Sequence, residues 1–166
     1  MKLGAEMNAA TILEKISHAL TQAGIEAIII GNSGAALNGA PVTTLDIDIF
    51  VRNINKLREK IKYAAKILKG SYIPSESELT NTCKIINEEE DIYIDIIDSP
   101  DGIKSFASVR SRSTLVKFGN SKIYVAALKD IIASKKAANR PKDKAVMEIL
   151  EKTLEENKKI SKAEKS

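Results

Sequence analysis

The stretch Leu45-Asp46-Ile47-Asp48-Ile49-Phe50-Val51 constrains this chain more than any other. Apolar residues at 45, 47, 49 and 51 alternate with Asp46 and Asp48. Alternation with a period of two marks a strand with one buried face. Such a strand, expected over Leu45 to Val51, carries both carboxylates on its other face, about 7 Å apart along the backbone. Two like charges that close repel unless a cation offsets them. Hard oxygen ligands of this kind suit magnesium, which takes one or two carboxylates together with substrate phosphates. In isolation the same pattern also describes a strand with a solvated polar face, so the surrounding sequence decides its meaning.

Upstream, Ile25 to Ile30 is a short apolar run that ends at Gly31, which reads as a buried strand. The residues from Asn32 to Asn38 are small and helix-compatible, and Gly39-Ala40-Pro41 closes them. A strand, a glycine turn and a helix start expose backbone N–H groups to phosphate oxygens. Gly31, Asn32 and Ser33 are therefore candidate nucleotide-binding residues, with the Ser33 hydroxyl as an added donor. A tight turn that only packs a helix on the sheet fits the same residues.

The remaining periodicities give a fold class. Ile12, Ile16, Ala19, Leu20 and Ala23 predict a helix over about residues 8–23, and Leu57, Ile61, Ala64, Ala65 and Leu68 predict a second. Thr82 to Asn87 and Asp91 to Ile97 read as strands across the acidic turn. Ser113 to Phe118 and Lys122 to Val125 flank Gly119-Asn120, a pair suited to a hairpin. Two helices finish the chain, one with Leu128, Ile131 and Ile132, the other starting near Pro141. This order predicts an α/β (α+β) domain: a mixed β-sheet flanked by helices, with C-terminal helices. At 166 residues the chain is expected to be one domain, 1–166, with a core over about 8–157 and a frayed tail at 158–166.

Composition narrows the chemistry. Aromatics are only 4% and tryptophan is absent, so the core is aliphatic and no base-stacking platform stands out. Cys83 is the only cysteine, and it has no Cys or His at metal-ligand spacing, so it reads as a structural thiol. His18, the only histidine, falls on a helix expected at the surface. A formal net charge of +4 is compatible with nucleotide or nucleic-acid partners without requiring them. No signal-peptide pattern and no membrane-length apolar run occur, so the expected location is the cytoplasm, with no membrane partner.

The segment GNSGAALNGAPVTTLDIDIFV, from Gly31 to Val51, resembles the signature of the nucleotidyltransferase superfamily with the DNA polymerase β type of fold. Gly31 matches the glycine at the strand end, and Asp46 and Asp48 match the metal pair. The intervening residues resemble small prokaryotic toxin-like nucleotidyltransferases of the AbiEii type. Two positions depart from the pattern: Asn32 stands where a second Gly or Ser is usual, and Val42 where many relatives have arginine.

The resemblance covers about residues 25–150 and carries further implications. It implies a third carboxylate on a later strand, for which Asp91, Asp95 and Asp98 compete. Asp95 is the choice, as a metal ligand or a general base. It implies that Asp46, Asp48 and Asp95 are catalytic and hold Mg²⁺, with Mn²⁺ an alternative. The stretch from Leu128 to Asp143 resembles the end of the toxin-like core. It implies that Lys135, Arg140 and Lys142 contact a triphosphate, with Asp143 in the first turn of the last helix; a salt-bridged helix–turn–helix, with Arg140 and Lys142 capping the preceding helix, fits the same residues. Arg110 and Arg112 are weaker phosphate candidates. The implied substrates are an NTP and a hydroxyl acceptor, an RNA or tRNA end or a protein, with an antitoxin-type protein as a further partner. A binding or regulatory module without turnover is the alternative.

Overall fold

A computed structural model describes residues 2–77 and 81–165, with side chains from residue 9 onward. Among them a seven-stranded mixed sheet is flanked by helices on both faces. In chain order the elements are α1 (Lys2–Gln22), β1 (Ile28–Ile30), α2 (Gly31–Leu37), β2 (Ile47–Phe50), α3 (Ile54–Ile67), β3 (Ser71–Pro74) and β4 (Thr82–Asn87). They continue with β5 (Ile92–Ile97), α4 (Phe106–Arg112), β6 (Thr114–Phe118), β7 (Ser121–Val125), α5 (Leu128–Ala138) and α6 (Pro141–Glu164). The strand order is β3-β4-β5-β2-β1-β7-β6. Strand β2 is central, antiparallel to β1 and parallel to β5.

Alternation sorts the two faces of the sheet. Ile49 and Val51 of the β2 segment point with Ile92, Ile94 and Ile96 of β5 into a cluster closed by Leu13, Ile16 and Leu20 of α1 and Ile61 and Ala64 of α3. Ile49 and Ile94 are essentially inaccessible to solvent. Burying a side chain of that size contributes about 1.5–3 kcal/mol. On the other face Phe50, Ile28 and Ala35 pack with Phe106, Ile131, Ile132 and Leu150. The helices on this face cover the β1 and β7 side. They leave Asp48 of β2, Asp95 of β5 and Asp46 in the bend before β2 open to a cleft.

Several boundaries differ from expectation. The central strand starts at Ile47, and Leu45 is 89% exposed in the bend before it, so Leu45 does not belong to the apolar face. Strand β1 is three residues long; Ile25 and Ala27 are buried but unpaired. Helix α1 begins well before residue 8. The edge strand β3 and the short helix α4 carry no clear periodic signal. Strand β3 is four residues ending in Pro74. Helix α4 is one and a half to two turns long, capped by the Ser105 hydroxyl, which accepts from the Ser108 N–H at 3.1 Å. Helix α6 continues through 158–164, in the region expected to fray, with every one of those side chains exposed; Ser166 lies outside the described residues.

Candidate active site

Gly31 is the hinge on which the site turns. It follows β1 with φ +64°, a left-handed conformation that glycine adopts without steric cost. A Cβ built there would collide with Oδ2 of Asp48. The glycine thus serves two needs: it lets the chain leave the strand for α2, and it leaves room for the Asp48 carboxylate. Ser33 stitches the same corner. Its hydroxyl donates to the Ile30 carbonyl at 2.9 Å and accepts from the Asp48 N–H at 3.2 Å, and the residue is 3% exposed. Its hydroxyl thus ties the turn to β2. Asn32 borders the cleft, and its Oδ1 is buried with no hydrogen-bond partner among the described residues.

The parallel register of β2 and β5 sets Asp48 beside Asp95. Asp46 lies in the bend just before β2, where the Thr44 hydroxyl donates to its carbonyl at 2.6 Å. The three carboxylates crowd one another. Burial, then the charge of Asp95, pushes Asp48 up from 3.8 to about 6. Burial and Asp95, whose carboxyl lies within hydrogen-bonding reach, also raise Asp46. Asp95 is steadied from the far side by Lys84 of β4, with Nζ 3.3 Å from its Oδ1. The competing acids sort themselves by position. Asp91 is a left-handed residue in the turn before β5. Asp98 accepts the Ile54 N–H at 2.9 Å and so holds the start of α3.

The opposite wall is cationic and internally paired. Asp143, 1% exposed, receives Arg140 through Nε at 2.7 Å, through the second guanidinium nitrogen at 3.3 Å and through the backbone N–H at 3.2 Å. Lys135 Nζ reaches the same carboxylate at 3.5 Å. Burial disfavours charge on Asp143, but the Arg140 hydrogen bonds and the two cations prevail and hold its carboxyl below 3.8. Asp143 also completes the N-terminal box of α6, where negative charge suits the helix dipole. The left-handed Asn139 ends α5 and turns the chain into α6.

A cleft of about 430 Å³ gathers these groups: Asp46, Asp48 and Asp95 on one side, Gly31 and Asn32 at the corner, and Lys135, Arg140 and Lys142 opposite. Of the expected site residues, Ser33, Arg110 and Arg112 do not line it. Arg110 and Arg112 stand elsewhere. Arg110 pairs with Glu26 and lies over the Tyr124 ring, and Arg112 pairs with Asp130. Val42 packs against the apolar cluster under α2 and α5. One residue escaped the sequence: Lys84 is visible only once the β4–β5 register is known. The salt-bridged reading of Asp143 matches its pairs with Arg140 and Lys135. Cys83 is buried, and burial pushes its thiol up to about 12, which removes it as a nucleophile. Among the described residues no helix is long and apolar enough to cross a membrane.

The donor set can be tested against a divalent ion. Among the described residues no three carboxylate, imidazole or thiolate groups already close around a common point. What is present is a pair of partly desolvated carboxylates, Asp48 on β2 and Asp46 in the bend before it, whose repulsion the nearby lysines offset only in part. That arrangement fits magnesium, which completes its shell with phosphate oxygens and water.

A model of the family described as nucleotidyl transferase of unknown function (DUF2204) matches residues 9–165. The chain belongs to this family. No curated protein matches the sequence of the transferase. Solved structures share its fold. The solution structure of the antibiotic-resistance factor ANT(2'')-Ia aligns over 89% of this chain and 85% of that one, at 15% identity and a TM-score of 0.62. The crystal structure of ANT(2'')-Ia with adenylyl-2''-tobramycin aligns over 88% and 89%, at 16% identity and a TM-score of 0.59. A nucleotidyltransferase from Thermotoga maritima, itself assigned only provisionally, aligns over 88% and 92%, at 22% identity and a TM-score of 0.54. The nucleotidyltransferase resemblance and the mixed-sheet fold are therefore both upheld.

Proposed function

We propose that this transferase moves a nucleoside monophosphate from an NTP to an acceptor hydroxyl. The observation that carries this reading is the convergence of Asp46, Asp48 and Asp95 with Lys135, Arg140 and Lys142 on a single cleft. Asp46 and Asp48 would hold Mg²⁺, or Mn²⁺, against the triphosphate. The bound ion supplies Lewis-acid stabilisation of charge on the phosphoryl oxygens.

The chain's own residues do the rest. Gly31 keeps the Asp48 carboxylate and the turn in contact, so the start of α2 faces the triphosphate without a side chain in the way. Lys135, Arg140 and Lys142 offset phosphate charge, and Asp143 holds the first two in place before substrate arrives. Preorganised cations stabilise developing charge without reorganising at the moment of reaction. Asp95 faces the open side of the sheet and takes the proton of the acceptor hydroxyl. The acceptor oxygen bonds to the α-phosphorus, the bond to the bridging α–β oxygen breaks, and pyrophosphate leaves.

The test is transfer of label from α-labelled NTPs with Mg²⁺ or Mn²⁺, with tRNA, protein and aminoglycoside acceptors as separate arms. The aminoglycoside arm follows from the adenylyl-tobramycin seen with ANT(2'')-Ia. Transfer that chelation abolishes is the expected result. No transfer in any arm, together with no NTP-dependent thermal shift, sinks the reading. In a toxin–antitoxin setting the antitoxin-type partner would suppress that transfer.

A further inference from the structure

Lys84 is a cation that neither the sequence pattern nor the proposed reaction uses. The antiparallel register of β4 and β5 sets it directly opposite Asp95. Strand β4 alternates, with Cys83 and Ile85 buried and Lys84 on the other face, so the lysine shares the cleft face with the carboxylates. Its Nζ lies 3.3 Å from Asp95 Oδ1, and its charge also acts on Asp46. Directly opposed residues of opposite charge attract across a ladder, so the placement is fixed by the sheet and not by a flexible loop. The three carboxylates are therefore not equivalent. Asp48 faces the Lys135 side of the cleft. Asp95 already has a cationic partner, which a divalent ion held there would have to displace.

We propose that Lys84 acts as a built-in competitor for Asp95: its ammonium fills the place beside Asp95 that a second divalent ion would take, so the free chain holds a single ion, at Asp46 and Asp48. This rests on the metal pair proposed above. The competition has a chemical consequence for the reaction. Asp95 is kept free of metal and available to the acceptor, while Lys84 is released towards the acceptor or the phosphate only when Asp95 changes partner.

The test is Mn²⁺ binding to the full chain without nucleotide, followed by calorimetry and by the loss of the free-ion electron paramagnetic resonance signal. Lys84→Met is expected to admit a second ion and to tighten Mn²⁺ binding about fivefold, the scale of one half-exposed ion pair. Lys84→Arg, which keeps the charge, is expected to bind as the natural chain does. Both positions are half exposed, so neither substitution threatens the core. If Lys84→Met matches the natural chain in stoichiometry and affinity, or if Lys84→Arg behaves like Lys84→Met, the competition is refuted. In that case binding by the natural chain that Asp48→Asn abolishes leaves the metal pair standing. If neither the natural chain nor Lys84→Met takes up Mn²⁺, both the pair and the competition fall.

Discussion

The two walls of the cleft solve opposite electrostatic problems. On the strand wall, Asp46, Asp48 and Asp95 are like charges pressed together, and burial with mutual repulsion raises Asp46 and Asp48. On the helix wall, Lys135 and Arg140 are like charges too, but the buried Asp143 lies between them and is itself lowered. One wall is left unsatisfied and the other is satisfied in advance. The difference teaches where the molecule stores its capacity to bind. Repulsion among the acids is offset in part by Lys84 and leaves Asp46 and Asp48 raised, ready for an incoming cation, whereas the bases are already fixed in direction and need only a phosphate to meet.

Removing one acid should separate the walls most strongly. Asp48→Asn is expected to cut nucleotidyl transfer by roughly 10³-fold or more, several kcal/mol of lost transition-state stabilisation. The same change is expected to raise the melting temperature of the metal-free chain, because it removes a buried like charge. A variant that loses activity and melts lower would break the claim that this wall is strained.

Asp143→Ala attacks the satisfied wall and should act with the opposite sign on stability. It leaves Lys135, 9% exposed, without its buried partner. Urea denaturation is expected to show a loss of about 3–5 kcal/mol, the usual consequence of breaking a buried pair from one side. A loss under 1 kcal/mol would mean that Lys135 finds water or another acid at no expense.

The pH dependence of metal-free stability should show both walls at once. Asp48 binds its proton more tightly folded than unfolded, so between about 4 and 6 the native state holds more protons and stability falls as pH rises. That loss is up to about 3 kcal/mol and is complete above about 6. Asp143 runs the other way: its contribution is present above 3.8 and is lost as pH falls through its lower folded value. Chemical denaturation from pH 3 to 8 should therefore show a maximum near the lower end of this range. Asp48→Asn should flatten the high-pH side only.

The smallest effect belongs to Lys142, exposed on the helix wall and outside the Asp143 cluster. Lys142→Ala is expected to raise the KM for NTP about threefold, with kcat and stability unchanged, as suits a solvent-screened charge. A larger change would place it in direct contact with the triphosphate.

The strand wall was legible in the sequence, and the helix wall only in part. Period-two alternation from Ile47 to Val51 and from Ile92 to Ile97 encodes which side chains face the core, so the carboxylate face follows from local pattern alone. The Gly31 turn was also readable, because the left-handed conformation has few takers. The hydrogen bond of the Ser33 hydroxyl to Ile30 was not readable, because it depends on how the turn folds back. Leu45 was misjudged because the apolar alternation continues two residues upstream of Ile47, where pairing begins. Lys84 stayed hidden because it acts through a partner set opposite it by strand register, which is not written in spacing along one element. Strand β3 and helix α4 are too short for their periodicity to stand out.

The parallel pairing of β2 with β5 has a consequence in time. Strands β4 and β5 are neighbours in sequence and can zip together early as a hairpin, whereas Asp48 meets Asp95 only after α3, β3 and that hairpin have crossed back to the central strand. Loop-closure entropy makes such a non-local step slow. A chain emerging during synthesis thus carries the two aspartates at the start of β2 long before it has a third to set beside them, and the bases of α5, α6 and the turn between them arrive later still.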